Sequence, residues 1–166
     1  SLSRFRFTGK FALSIVIFLA MMFPATVVLI PMFLVFRTLK LLNTYAGLII
    51  AYATFALPFC TWMMKGFFDS IPMELEEAAI VDGCSRAGAM FRITLPLAAP
   101  GVAATAMFGF LLAWNEYLFA LTLTTSESMR TLPVGLTLFS GEYYTNYGAL
   151  MAASLMVWFG KSAVMR

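Results

Sequence analysis

Long uncharged stretches alternate with short polar ones along this chain. Uncharged residues run from Lys10 to Arg37, from Lys40 to Lys65 and from Arg92 to Glu116, and a fourth run starts near Tyr147 and meets Lys161. The first three each exceed the roughly 20 residues that a helix needs to cross a bilayer. The fourth is barely long enough, which predicts a truncated or tilted span. The pattern therefore predicts an all-α fold, a polytopic transmembrane helical bundle. Its spans fall at about 11–36, 44–64, 95–119 and 147–164. A polar loop at 65–94 and a second at 121–146 separate the last three spans.

Composition supports a membrane protein. Hydrophobic residues make up 61% of the chain and charged residues 11%, against roughly 25% charged in soluble domains. The sequence contains no His, so the usual general base and the commonest metal ligand are missing. An enzyme, a resident metal and a cofactor are all poor expectations. The basic residues are dispersed, which argues against a nucleic-acid partner. Cys60 sits in an apolar run and Cys84 in a polar one. That placement predicts neither a disulfide nor a metal site. Arg4, Arg6 and Lys10 before an apolar run imitate a signal peptide. The run is too long and lacks a small-residue cleavage site, so a membrane anchor is expected instead.

Charge also predicts orientation. With a cytoplasmic N-terminus, Arg4, Arg6, Lys10, Lys65, Arg86 and Arg92 lie inside, and Lys161 and Arg166 can join them. Only Arg37, Lys40 and Arg130 then lie outside. This bias follows the positive-inside rule and puts the loop 65–94 in the cytoplasm. Pro24 and Pro31 in the first span and Pro58 in the second predict kinks. Gly47 with Ala51, Gly148 with Ala152, and Ala149 with Ala153 have the four-residue spacing that lets helices approach closely.

The loop 65–94 is the most informative segment. Pro72 suits a first helical turn, and Glu74, Glu76 and Glu77 complement the positive end of a helix dipole. Gly83 supplies a C-terminal stop. Ser85 can cap a second helix running to about Thr94, and Leu95 and Pro96 open the next span. The carboxylates of the first helix spread around its axis instead of leaving one apolar stripe. Such a helix is either a solvated hairpin arm or a piece gripped by a partner.

The order Glu77-Ala78-Ala79, then Gly83, then Ile93 and Leu95-Pro96, resembles the EAA loop of permease subunits in bacterial and archaeal binding-protein-dependent ABC importers. Asn43-Thr44-Tyr45, Lys65-Gly66-Phe67-Phe68, Trp114-Asn115-Glu116-Tyr117 and the run Arg130 to Leu136 resemble the carbohydrate branch, and within it the maltose-type second permease subunit. The likeness runs from about Ser3 to Val157. The family's fold has about six spans, so the chain is expected to be a fragment or to have an altered end. The stretch Trp158 to Arg166 departs from the family's last span.

The resemblance implies a type I importer permease fold in the plasma membrane. It implies four kinds of contact: cytoplasmic ATPase subunits, a second permease subunit, an extracytoplasmic solute-binding protein and membrane lipid. It also implies that Glu77, Ala78, Ala79 and Asp82 form an ATPase-docking helix, with Gly83 as its exit. Ile93, Leu95 and Pro96 would join the loop rigidly to the third span. ATP hydrolysis would belong to the partner. Gly160-Lys161-Ser162 imitates the end of a P-loop, but Leu155 stands where its first glycine is required.

Trp114, Asn115 and Glu116 are candidates for the translocation pathway, because an ionisable group near a span end is functional by default. The plainer alternative places Glu116 at a hydrated interface, with Trp114 and Tyr117 as aromatic anchors. Glu142, Tyr143, Tyr144 and Asn146 suit a polar interface with the binding protein. Sugars lead as solutes, and glycerol-phosphate and other polyols stay open. So do a membrane-embedded enzyme and a structural or non-functional permease fragment.

Overall fold

The computed structural model describes residues 2–4, 7–139 and 147–164, with Leu138 and residues 159–164 described by backbone alone. Among the described residues the chain is helical and has no strand. The helices are α1 (Lys10–Met22), α2 (Ala25–Thr38), α3 (Tyr45–Ser70), α4 (Glu74–Val81) and α5 (Arg86–Ala89). A π-helical segment, Met90–Thr94, follows. Then come α6 (Leu95–Leu97), α7 (Ala99–Trp114), α8 (Leu118–Leu123), α9 (Leu132–Leu136) and α10 (Tyr147–Val164). The all-α expectation is met.

The helices differ from the expected spans, and prolines explain part of the difference. The first span is broken into α1 and α2 around Pro24, which has extended backbone (φ −62°, ψ 128°) as the residue before α2. Proline has no N–H to donate backward, and its ring crowds the carbonyl one turn earlier. Pro31 and Pro58 lie inside continuous helices. The second span is one 26-residue helix that runs past Lys65 to Ser70. Lys65 and Asp69 are paired at i,i+4 on this last stretch, and such a pair supports a helix end. The third helix begins at Ala99 instead of Leu95. It is bent by 67° from the segment Arg86–Leu97. Pro100, in its first turn, removes the bond that would have carried the helix straight through Ala98. In the fourth, the apolar part is Tyr147–Trp158.

α3 is long and apolar enough to cross a membrane, and only 17% of its apolar window is buried within the protein. Phe11, Ile30, Ile49 and Met156 are each more than 60% exposed. Apolar helices with this much bare surface are stable where the solvent is itself hydrocarbon.

The chain divides into two compact units, Ser1–Met22 with Phe55–Phe110, and Phe23–Thr54 with Leu111–Arg166. In the first unit, the later part of α3 packs on α7. Phe67 lies against Gly101, Cys60 lies against Gly109 and near the Thr105 carbonyl, and the rings of Phe59 and Phe108 are 6.2 Å apart. These pairs run in opposite chain directions, so the two helices are antiparallel. Gly101 makes the close approach possible, because a Cβ there would strike the Phe67 ring. The second unit is centred on α8, whose Phe119, Ala120 and Leu123 are buried along with Phe36 of α2 and Val134 of α9.

Candidate functional site

The polar segment between α3 and α7 folds as a helix pair in the first unit. Met73 already has helical backbone and accepts from the Glu76 and Glu77 N–H groups. Pro72 therefore lies just before the helix instead of inside its first turn. It still ends the preceding chain, because it has no N–H to extend α3. Glu74, Glu76 and Glu77 occupy the first turn of α4, where unpaired N–H groups favour negative charge.

The end of α4 is a Schellman motif. The Cys84 N–H donates to the Ala79 carbonyl (2.9 Å) and the Gly83 N–H donates to the Ile80 carbonyl (3.0 Å). This closure requires left-handed backbone at Gly83, whose φ is +89°. Replacement by an L-residue costs about 1–2 kcal/mol there. Gly83→Ala is expected to lower thermal stability by that amount and to speed hydrogen exchange at the Cys84 amide. Gly83→Asn should lose less. Ser85 then opens α5, its hydroxyl accepting from the Gly88 N–H at 3.1 Å, as expected of an N-cap.

α4 presents two different faces. Ala79 is buried and Glu76 half-buried, facing α5 and the π segment. The rest of the helix surface is exposed: Glu74, Leu75, Glu77, Ala78, Ile80, Val81 and Asp82. Val81 is 86% exposed. Of the residues expected to dock, Glu77, Ala78 and Asp82 therefore lie on the free face, and Ala79 packs inward. A cavity of about 470 Å³ opens between α4 and the following helix, lined by Glu76, Glu77, Ile80, Arg86, Met90 and Phe91 among others.

Ile93, Leu95 and Pro96 end the segment where its register changes. The Leu95 N–H donates to the Met90 carbonyl, a π-type bond. Pro96 lacks the N–H that an α register would use next, so the change of register falls beside it. These three residues lie on the segment Arg86–Leu97, which meets the next helix at a 67° bend.

Three further residues complete this site. Glu76 Oε1 accepts from the Thr94 hydroxyl at 2.8 Å. It also lies 2.8 Å from Arg4 Nε, an ion pair whose N–H is not aligned for a hydrogen bond. Arg4 Nη2 donates to the Ile71 carbonyl at 2.8 Å. Thr94 is fully buried. Glu76 was visible in sequence only as one of three first-turn acids. Arg4 is too distant in the chain for any local pattern to find it.

A second cluster lies in the second unit, where α7 ends at Trp114. The Asn115 side chain donates to the Leu111 carbonyl at 2.6 Å, closing the helix end. The Glu116 carboxylate accepts from the Phe119 N–H (2.8 Å) and the Ala120 N–H (3.0 Å). It thus caps α8, with charge matched to the helix dipole. The Tyr52 and Thr131 hydroxyls are buried in this neighbourhood, Tyr52 facing both Glu116 and Thr131. Neither hydroxyl makes a well-aligned hydrogen bond. Asn43 holds the other end of α8. Its backbone is left-handed (φ +56°) and its N–H donates to the Leu123 carbonyl at 2.8 Å. Its side-chain oxygen accepts from the Thr125 and Ser126 N–H groups and the Ser126 hydroxyl.

Gly160, Lys161 and Ser162 lie within α10, a helix instead of a phosphate-cradling loop. Glu142, Tyr143, Tyr144 and Asn146 lie outside the described residues.

A helical membrane subunit with a short, punctuated helix between two apolar ones is the class that this fold and site define. The chain belongs to the family described as binding-protein-dependent transport system inner membrane component, whose model matches residues 2–165. It is 44% identical over 131 residues to the sulfoquinovosyl glycerol transport system permease protein SmoH of Agrobacterium fabrum, covering 79% of this chain and 46% of that one. It is 37% identical over 157 residues to the trehalose/maltose transport system permease protein MalG of Thermococcus litoralis, covering 94% and 56%. Among solved structures it is similar to a bacterial ABC transporter involved in the import of the acidic polysaccharide alginate. That match has a TM-score of 0.74 and 29% identity, over 95% of this chain and 59% of that one. The chain spans about half the length of the curated relatives it matches. The carbohydrate-branch and maltose-type resemblances agree with these relatives, and the fold is that of a type I importer permease.

Proposed function

We propose that this chain is the coupling part of a permease subunit in an ATP-driven importer, with a sugar as solute. Its partners would be cytoplasmic ATPase subunits, a second permease subunit, an extracytoplasmic solute-binding protein and the lipid of a bacterial or archaeal inner membrane. ATP hydrolysis would take place on the ATPase partner. α4 lies on the cytoplasmic side, a placement that the distribution of basic residues supports. The observation that carries the reading is the free face of α4. Glu74, Leu75, Glu77, Ala78, Ile80, Val81 and Asp82 are exposed, and only Glu76 and Ala79 are withdrawn from solvent, so apolar and acidic side chains together are open to a partner. Small Ala78 among them lets another surface come close, and the Schellman closure at Gly83 keeps the helix stiff.

Sugar as the solute rests on the relatives, whose names carry a sulfoquinovosyl glycerol, trehalose or maltose, and an alginate polysaccharide. Trp114, Asn115 and Glu116 belong to the extracytoplasmic part of the pathway. They shape it by fixing α7 and α8, since the polar groups of Asn115 and Glu116 already serve the backbone.

The docking claim is tested by Ala78→Arg in the assembled transporter, purified by a tag on the permease. Recovery of the ATPase subunit is expected to fall at least tenfold. Undiminished recovery would show that α4 does not seat the ATPase.

A further inference from the structure

We infer that Arg4 is a positioning residue that ties the docking helix to α1, so that α4 drives two membrane helices instead of one. The inference rests on the coupling reading of α4 given above.

α4 has an evident covalent path onward, through Gly83 and the segment Arg86–Leu97 to α7. Its first turn has a second tie. Arg4 grips both sides of the α4 entrance, pairing with Glu76 on the helix and donating to Ile71 before it. The side chains of the pair are 9% and 18% exposed. They are well shielded from water, unlike the loosely held pairs found at surfaces. The short stretch containing Arg4 is tied in turn to α1. The Lys10 ammonium, at the first residue of α1, donates to the Ser3 carbonyl at 3.4 Å. Glu76 is the junction, because the same oxygen that meets Arg4 accepts from Thr94 near the end of the π segment. One carboxylate thus links α4, the approach to α7 and the approach to α1. The C-terminal end of α4 is closed locally by its Schellman motif, whereas its first turn, which has no side-chain cap, is held across 72 positions of sequence by Arg4.

The experiment uses the assembled transporter in nanodiscs, with Cys60 and Cys84 replaced by alanine. Spin labels are placed at Met151 of α10 with either Phe11 of α1 or Val102 of α7, all exposed positions. Distances are compared without nucleotide and after trapping with ATP and vanadate. With native Arg4 and Glu76, both pairs are expected to shift. In Arg4→Ala and in the near-isosteric Glu76→Gln, the Val102 pair should shift as before, and the Phe11 shift should fall to half or less. Arg4→Glu combined with Glu76→Arg should restore it. A purely structural role would move neither label pair selectively. An unchanged Phe11 shift in both single variants overturns the inference, and Glu76→Gln alone decides if Arg4→Ala fails to assemble. If neither pair shifts with native Arg4 and Glu76, the coupling reading itself is wrong, and this inference falls with it.

Discussion

Gly101→Leu is expected to destabilise the first unit by about 3 kcal/mol or more, the upper range for overpacking a well-filled contact. Even a Cβ at this position would lie 2.7 Å from Phe67 Cδ1 and 2.8 Å from Phe67 Cβ. Phe67 Cβ is anchored to the α3 backbone and cannot swing aside as a side-chain tip could. α3 and α7 would have to separate, loosening the contacts of Cys60 and of the Phe59–Phe108 rings on the same seam. The check is thermal unfolding of the purified complex in detergent, with Gly101→Ala giving a smaller loss. Phe67→Ala in the Gly101→Leu background should recover part of the stability. A Gly101→Leu protein as stable as the parent would mean that the two helices do not meet at this point.

Glu116→Ala is expected to cost about 3 kcal/mol, because it leaves two N–H groups unpaired at about 1–3 kcal/mol each. Phe119 is 2% exposed and Ala120 fully buried, so water cannot readily replace the carboxylate. Glu116→Gln keeps one good acceptor and should lose about 1 kcal/mol. The pair of variants separates capping from a direct role in translocation. If capping is the whole role, transport by the Gln variant stays near that of the parent and follows stability. A Gln variant that is stable but transports poorly would show that the charge itself acts on the solute or its pathway. Transport and coupling to ATP hydrolysis that survive in the Ala variant would remove Glu116 from the pathway altogether.

Much of the fold was legible because a bilayer imposes a simple rule: long stretches without charge become helices. Where the rule failed, the cause was local chemistry. α3 outran its uncharged stretch because Lys65 and Asp69 neutralise each other one turn apart. Pro24 broke a helix while Pro31 and Pro58 did not, and the presence of a proline alone cannot distinguish these outcomes. Gly83 and Ser85 were readable because caps act within a few residues of themselves. The direction faced by each α4 residue was not readable, since its carboxylates surround the axis and only packing against α5 selects a side. Arg4 with Glu76, and Asn43 with Thr125 and Ser126, join residues far apart in the chain. No periodicity reports such pairs. The polarity of Asn115 and Glu116 is plain in sequence, but the helix termini that use it are brought near only in three dimensions.

The bend at Ala98 has a mechanical consequence. The segment Arg86–Leu97 is roughly 18 Å long by its helical rise, and it meets α7 where Pro100 leaves the backbone without a straight continuation. A rotation of about 10° at that bend would move the far end by roughly 3 Å over this length. A small angular change in the membrane thus corresponds to a displacement at α4 as large as the gap between two hydrogen-bonded atoms. On the coupling reading proposed above, this geometry would gear the two motions together, and a change in the number of residues between Ser85 and Ala98 would alter that gearing.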